Sequence, residues 1–347
     1  MRAPPPSSQG TFIRLAGTLF LSALLSLAGL GAAFWLGDPG EVGAVLDVPA
    51  PALFLSAALV LVNFLCGALR LRVLAHISGA SLSLWQSLRA YLLGRFSDLV
   101  TPGGSGQMPV MGFALIRGGL GASRAWALTL YTAILDLLFF GLTVPLALLL
   151  LSTSVEHFPA GSLLSALALS ALFLSFWYLL AHRLAWLQYP LEKLFALPFL
   201  RRWRASVLTS FGKLTKATAL VAQRPFAQSL LFALTAPLHL SNYAVFYVVA
   251  ASLGAELDLL LTLATVLVAS VASFVVPTPG GSGFTEFAVL SLFGLQTDAT
   301  QITPALIVWR VLNYYVFFLI GPALGGTLLH QKRPDAASGA DPEDASR

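Results

Sequence analysis

Long runs without charge dominate this chain. A helix rises about 1.5 Å per residue, so crossing the hydrocarbon core of a bilayer takes roughly 20 consecutive apolar residues. Five stretches qualify directly: 12–36, 51–75, 125–151, 163–182 and 226–253. A sixth, 303–329, qualifies although it holds Arg310 and Asn313. Two more apolar regions, 83–120 and 259–295, are each broken near the middle by glycine and proline. Composition agrees: only 10% of the residues are charged, against about 25% in a soluble domain. A mean hydropathy of +0.82 is too apolar for a water-soluble core. These values exclude a soluble enzyme, a disordered chain and a disulfide scaffold, and point to an all-α polytopic membrane protein. The first stretch is too long for a signal-peptide core and reads as a retained span. The single cysteine, Cys66, excludes an intramolecular disulfide or a cysteine-cluster metal site.

The loops set the orientation. Segments 37–50, 152–160, 253–258 and 294–300 contain no Lys or Arg. The alternate segments carry the basic residues: Arg70, Arg72, Arg89, Arg117 and Arg124, then a block from Arg183 to Arg224, then Lys332 and Arg333. The positive-inside bias puts this second set, and both termini, in the cytoplasm of a cell that holds the protein in its plasma membrane. The net charge of +5 is then loop charge facing anionic lipid rather than a nucleic-acid surface. The charges alternate correctly only if each broken region dips into the membrane and returns. The expected architecture is therefore about six transmembrane helices plus two re-entrant broken hairpins.

The two breaks are the same. Thr101-Pro-Gly-Gly-Ser-Gly106 recurs as Thr278-Pro-Gly-Gly-Ser-Gly283, an offset of 177. Without a gap, that offset also matches Leu135 with Leu312, Phe140 with Phe317 and Pro145 with Pro322, and sets Asp136 against Asn313. The repeat unit is span, broken hairpin, span. Unit one covers about 51–151 and unit two about 226–329. They begin on opposite sides, which makes an inverted repeat, an arrangement found in transporters. Between them, the linker of about 184–224 carries, counting from Arg183, eight basic residues and one acid among apolar ones. It reads either as short amphipathic helices on the inner leaflet or as a simple positive-inside anchor. The expected organisation is a disordered 1–11, one membrane domain over 12–330, and a disordered cytoplasmic tail over 331–347.

Irregular backbone is tolerated at membrane depth only where protein or a wet cavity shields it. Each loop leads into a short helix, starting near Gln107 and near Phe284. The unpaired N–H groups of such starts attract anions, most simply a phosphate. The candidate substrate-binding residues are thus Thr101, Gly103, Gly104, Ser105, Gly106, Thr278, Gly280, Gly281, Ser282 and Gly283. Ionisable or polar residues inside spans join them: Arg95, Asp98, Asp136, Glu286, Arg310 and Asn313. Plainer roles stay open. The loops can be tight turns. Arg95 and Asp98 can pair at three-residue spacing. Asp136 and Arg310 can form one buried pair, Glu286 can complement a helix start, and His239 and Asn242 can hydrogen-bond between helices. Pro109 stands where unit two has Glu286. No Walker A, HExxH, GxSxG or Cys/His metal spacing is present, so no cofactor, metal or catalytic residue is expected.

At these residues the sequence resembles the lysylphosphatidylglycerol synthase transmembrane region family, which includes the flippase half of the multiple peptide resistance factor. The resemblance rests on Arg95-Phe-Ser-Asp-Leu-Val-Thr-Pro-Gly-Gly-Ser-Gly106, on Pro279-Gly-Gly-Ser-Gly-Phe-Thr-Glu286 and on Arg310, and covers about 15–330. It implies a lipid-translocase fold with two re-entrant hairpins. The soluble aminoacyl-transfer domain of the resistance factor has no counterpart in these 347 residues, so the resemblance implies flipping or lipid binding rather than lysyl transfer. The expected function is a flippase, not an enzyme, for a lipid with an anionic headgroup such as an aminoacylated phospholipid or a polyprenyl-phosphate carrier. The alternative is a scaffold or accessory subunit of a lipid- or glycan-modifying enzyme. Expected partners are membrane lipids, with a second copy or such an enzyme as further candidates, and no nucleic acid.

Overall fold

The computed structural model describes residues 43–101, 103–155, 188–197, 224–274, 276, 278–297 and 300–330, with isolated positions 31, 161, 164, 167, 168, 171, 175, 208 and 212. The expected spans 12–36 and 163–182, most of the linker and both termini lie outside these. The described residues form helices and no strand: α1 (Ala50–Ile77), α2 (Leu84–Val100), α3 (Gln107–Arg117), α4 (Ala122–Ser154), α5 (Gln188–Leu194), α6 (Pro225–Ser252), α7 (Leu259–Ser273), α8 (Phe284–Gly294), α9 (Ile302–Arg310) and α10 (Val316–His330). A single π turn, Val311–Tyr315, joins α9 to α10.

Among the described residues, four helical stretches are long and apolar enough to cross a membrane: Ala50–Ile77, Ala122–Ser154, Phe226–Ser252 and Ile302–Gly326. Each turns large apolar side chains outward. Phe54 is 77% exposed, Leu146 65%, Phe226 83% and Leu319 78%, a surface suited to lipid and not to water. Each broken region is two short helices, as the glycine-proline breaks predict. Local chemistry fixes their starts. Ser83 and Gln86 cap α2 reciprocally, the Ser83 hydroxyl accepting from the Gln86 N–H and the Gln86 carboxamide accepting from the Ser83 N–H. The Asp258 carboxylate accepts from the Leu261 N–H at the start of α7.

The packing repeats like the sequence. Within unit one, α1 meets α2 and α3 meets α4; within unit two, α6 meets α7 and α8 meets α9. Across units, α1 lies along α6. The first hairpin arms are exchanged: α2 packs on α10 and α7 on α4. Phe96 meets Phe318, and Phe140 meets Phe274, both with centroids 6.1 Å apart. Two apolar cores result. One gathers residues 48–60 of the first segment and 139–155 of α4 around the second hairpin. The other gathers 71–77 of α1 and 125–135 of α4 around the first. The hairpins therefore occupy opposite ends of the same long helices, and their loops meet between the cores.

Candidate functional site

A cavity of about 630 Å³ lies where the loops meet. Its wall includes Gly103 and Gly104 from one loop and Gly280 and Gly281 from the other. These glycines hold matching left-handed conformations, with φ of 59° and 69° in the first loop and 57° and 67° in the second. Such values strain any residue with a Cβ, which is why both loops carry the Gly-Gly pair. Gly280 also sits against the Tyr314 ring and the Leu99 carbonyl, so the second loop touches the first unit through bare backbone.

Of the sequence candidates, Arg95, Asp98, Asp136, Arg310 and Asn313 reach the wall along with the four glycines. Thr101, Ser105, Gly106, Thr278, Ser282, Gly283 and Glu286 stand behind it. The cavity is charged but internally matched. Arg95 donates to Asp98 at 2.5 Å within α2, the plain pairing expected at that spacing. Asp136 and Arg310, however, do not pair with each other. Asp136 accepts from both Nη1 and Nη2 of Arg70, at 2.5 and 3.2 Å, and also meets His239 Nε2 at 3.0 Å. Arg70 reaches Asp136 of α4 directly from α1.

Arg310 instead faces Glu286, with Nε 2.7 Å from Oε1. Its Nη1 donates to the Gly280 carbonyl at 3.5 Å, and its guanidinium lies 5.4 Å from the centres of both the Trp309 and Tyr314 rings. The Nε–H is not aligned on Glu286 for a hydrogen bond, and Nη2 has no hydrogen-bond partner at all. Arg310 is only 5% exposed. A buried guanidinium with an unmet donor costs free energy unless something else meets it. Glu286 does complement its helix start, its Oε2 accepting from the Gly283 N–H at 2.7 Å, and carries the contact with Arg310 as well.

Several wall residues escape sequence reasoning. Arg70 counts among the basic residues of a cytoplasmic segment, yet it is 2% exposed and salt-bridged inside the bundle. It lies seven residues inside a helix that continues to Ile77. Tyr91 and Asn63 form one hydrogen bond at 2.9 Å, and Asn63 donates on to the Leu238 carbonyl of α6 at 2.6 Å. His239 and Asn242 do bond between helices, the latter accepting from Trp309 Nε1. The π turn has no signal in the pattern. It follows Arg310 directly and carries Asn313 and Tyr314, and such turns concentrate at functional sites. Among the described residues, no cluster of His, Cys, Asp and Glu could hold a metal ion.

Comparison with known proteins agrees with this architecture. The family described as lysylphosphatidylglycerol synthase TM region matches residues 17–321. A relative described as a UPF0104 membrane protein, from Archaeoglobus fulgidus, is 23% identical over 280 residues, covering 78% of this chain and 84% of the relative.

Proposed function

Because the chain belongs to the lysylphosphatidylglycerol synthase transmembrane region family and is an integral membrane protein, we propose that it is a flippase for lipids with an anionic, phosphate-bearing headgroup. The observation that carries this reading is Arg310: buried, held by Glu286, Gly280 and two rings, and left with Nε and Nη2 without hydrogen-bond partners at a cavity floored by both loops. A phosphate oxygen meets such a donor well, because guanidinium presents its N–H groups in a planar fork. Hairpins at opposite ends of the long helices act as re-entrant elements entering from the two leaflets. The cavity between them is where a headgroup would pass while its acyl chains stay in lipid. The Lys/Arg pattern supports a reading in which the protein sits in the cell membrane with both termini cytoplasmic. A largely apolar cavity of this size that carries charged side chains on its wall favours translocation over a scaffold role, for which a packed centre would serve. Transport needs no catalytic residue of its own, and the proposal includes none.

The test is reconstitution of the full chain in liposomes with fluorescent phosphatidylglycerol, phosphatidylcholine or a polyprenyl phosphate in one leaflet. Anionic lipids should be flipped faster than phosphatidylcholine. Arg310→Lys should slow this, and folded Arg310→Ala should abolish it. Equal rates for all headgroups, or wild-type rates in folded Arg310→Ala, would remove the assignment.

A further inference from the structure

The charges around the cavity balance. Arg70, Arg95 and Arg310 stand against Asp98, Asp136 and Glu286, each guanidinium in contact with its own carboxylate. An anionic headgroup entering this site therefore brings an unmatched negative charge into a region of low dielectric, which is costly without a compensating positive charge. One group on the wall can supply it. His239 lines the cavity, 16% exposed at its side chain, with Nε2 3.0 Å from Asp136 Oδ1. A carboxylate only accepts, so Nε2 carries the hydrogen of the neutral ring and Nδ1 holds the basic lone pair. The ring is fixed by stacking on Phe139, with centroids 4.7 Å apart and planes 18° apart, and by the neighbouring Phe140 ring, tilted by 56° with its centroid also 4.7 Å away. Among the described residues, Asp136 is the hydrogen-bond partner of the imidazole.

We propose that His239 is a coupling-proton site: the headgroup binds together with one proton, which forms a bond to Nδ1 and makes the ring an imidazolium. This rests on the headgroup reading above and adds the ion that travels or exchanges with the lipid. The proton comes from bulk water, no electron moves, and the bound pair of anion and proton leaves the cavity as neutral as it began. Charges of both signs surround the ring. From α4, Asp136 favours the imidazolium. From α1 and α2, Arg70 and Arg95 oppose it, with Asp98 screening Arg95. Tyr91 of α2 and Tyr243 of α6 itself share the wall and are neutral at ordinary pH. From α9, Arg310 lies on the same cavity, matched by Glu286. The described residues of α7 on the wall, Ser270, Val271 and Ser273, bring no charge. With every fixed charge matched, the arriving anion decides the protonation of the ring.

The experiment is calorimetric titration of the purified full-length protein with dihexanoyl phosphatidylglycerol, repeated in buffers of different ionisation enthalpy between about pH 5 and pH 8. The buffer dependence of the heat counts protons. Wild type should take up a proton per lipid, approaching one at the alkaline end, with affinity falling by as much as about tenfold per pH unit there. His239→Gln should bind more weakly, with no uptake and no pH dependence. Binding by wild type without proton uptake leaves the flippase reading standing and overturns this one. Uptake that persists in His239→Gln assigns the proton elsewhere and overturns it too. Absence of any binding removes both readings. The wild-type buffer series decides the matter even where the variant does not fold.

Discussion

The two Thr-Pro-Gly-Gly-Ser-Gly loops have one sequence and, at their first two glycines, one backbone. What surrounds them differs. In the first loop, the Thr101 hydroxyl accepts from the Gly106 N–H at 2.8 Å and donates to the Ser97 carbonyl, so the loop caps itself. In the second, the Thr278 hydroxyl is buried without a partner, and the Glu286 carboxylate takes the Gly283 N–H instead. The third glycines diverge accordingly, with φ of −80° at Gly106 and +84° at Gly283. The charges split the same way. Hairpin one carries its pair within a single helix, whereas hairpin two places a carboxylate against an arginine of a different helix. Duplication supplied the frame, and specialisation of the second half supplied an arginine held by tertiary contacts.

The largest effect should come from breaking that tertiary pair. Glu286→Ala leaves Arg310 buried without its counter-charge and should cost about 3–5 kcal/mol, read as thermal unfolding in detergent. Glu286→Gln, which keeps an acceptor for the Gly283 N–H, should lose less stability but still slow lipid translocation. Asp98→Ala in hairpin one should cost about 1.5–3 kcal/mol, the range of a hydrogen bond to a charged group, because Arg95 is 22% exposed at its side chain and retains access to water. Equal losses in the two hairpins would mean that the second pair is no more buried in energetic terms than the first.

A sharper comparison holds backbone strain constant. Gly103 and Gly280 share a left-handed φ, so alanine at either should cost about 1–2 kcal/mol from strain alone. At Gly103 a new Cβ meets nothing nearer than the Phe274 carbonyl, 3.9 Å away. At Gly280 it runs into the Tyr314 ring and lies 3.0 Å from the Leu99 carbonyl. Gly280→Ala should therefore cost a further 1–3 kcal/mol, roughly, from overpacking. Matching unfolding temperatures for the two variants would show that the second loop is not wedged between the units.

The frame was legible because it depends on period and composition. Helix starts near Gln107 and Phe284, the broken arms and the internal repeat all follow from apolar length and from glycine and proline punctuation. The Arg95–Asp98 pair was legible because helical spacing alone brings it together. The partners of Asp136 and Arg310 were not, since both depend on which helices touch. The offset of 177 suggested a contact between the two last spans, while packing gave Asp136 to α1 and α6, and Arg310 to α8. Arg70 was hidden by its neighbours: a basic residue close to Arg72 reads as loop charge until the helix is seen to continue past it. The π turn after Arg310 was hidden because the same residues would also satisfy a regular helix.

The smallest effect tests the most local difference between the loops. Thr101→Val keeps the shape of the side chain but removes the acceptor of the Gly106 N–H and the donor to the Ser97 carbonyl. A buried donor left unmet costs about 1–3 kcal/mol, so this variant should unfold at a measurably lower temperature. Thr278→Val makes the same chemical change at the matching position of the second loop. Its hydroxyl meets no partner, so removing it forfeits no hydrogen bond and relieves a buried polar group of its desolvation cost. Stability should then stay within about 0.5 kcal/mol of wild type or rise slightly. The pair of substitutions reads the specialisation directly, because the loop sequence and the backbone of its first two glycines are shared while the partner of the threonine hydroxyl and the turn at the third glycine differ. If Thr278→Val lost as much as Thr101→Val, the two threonines would be capping their loops alike, and Glu286 would not have taken over that role in the second.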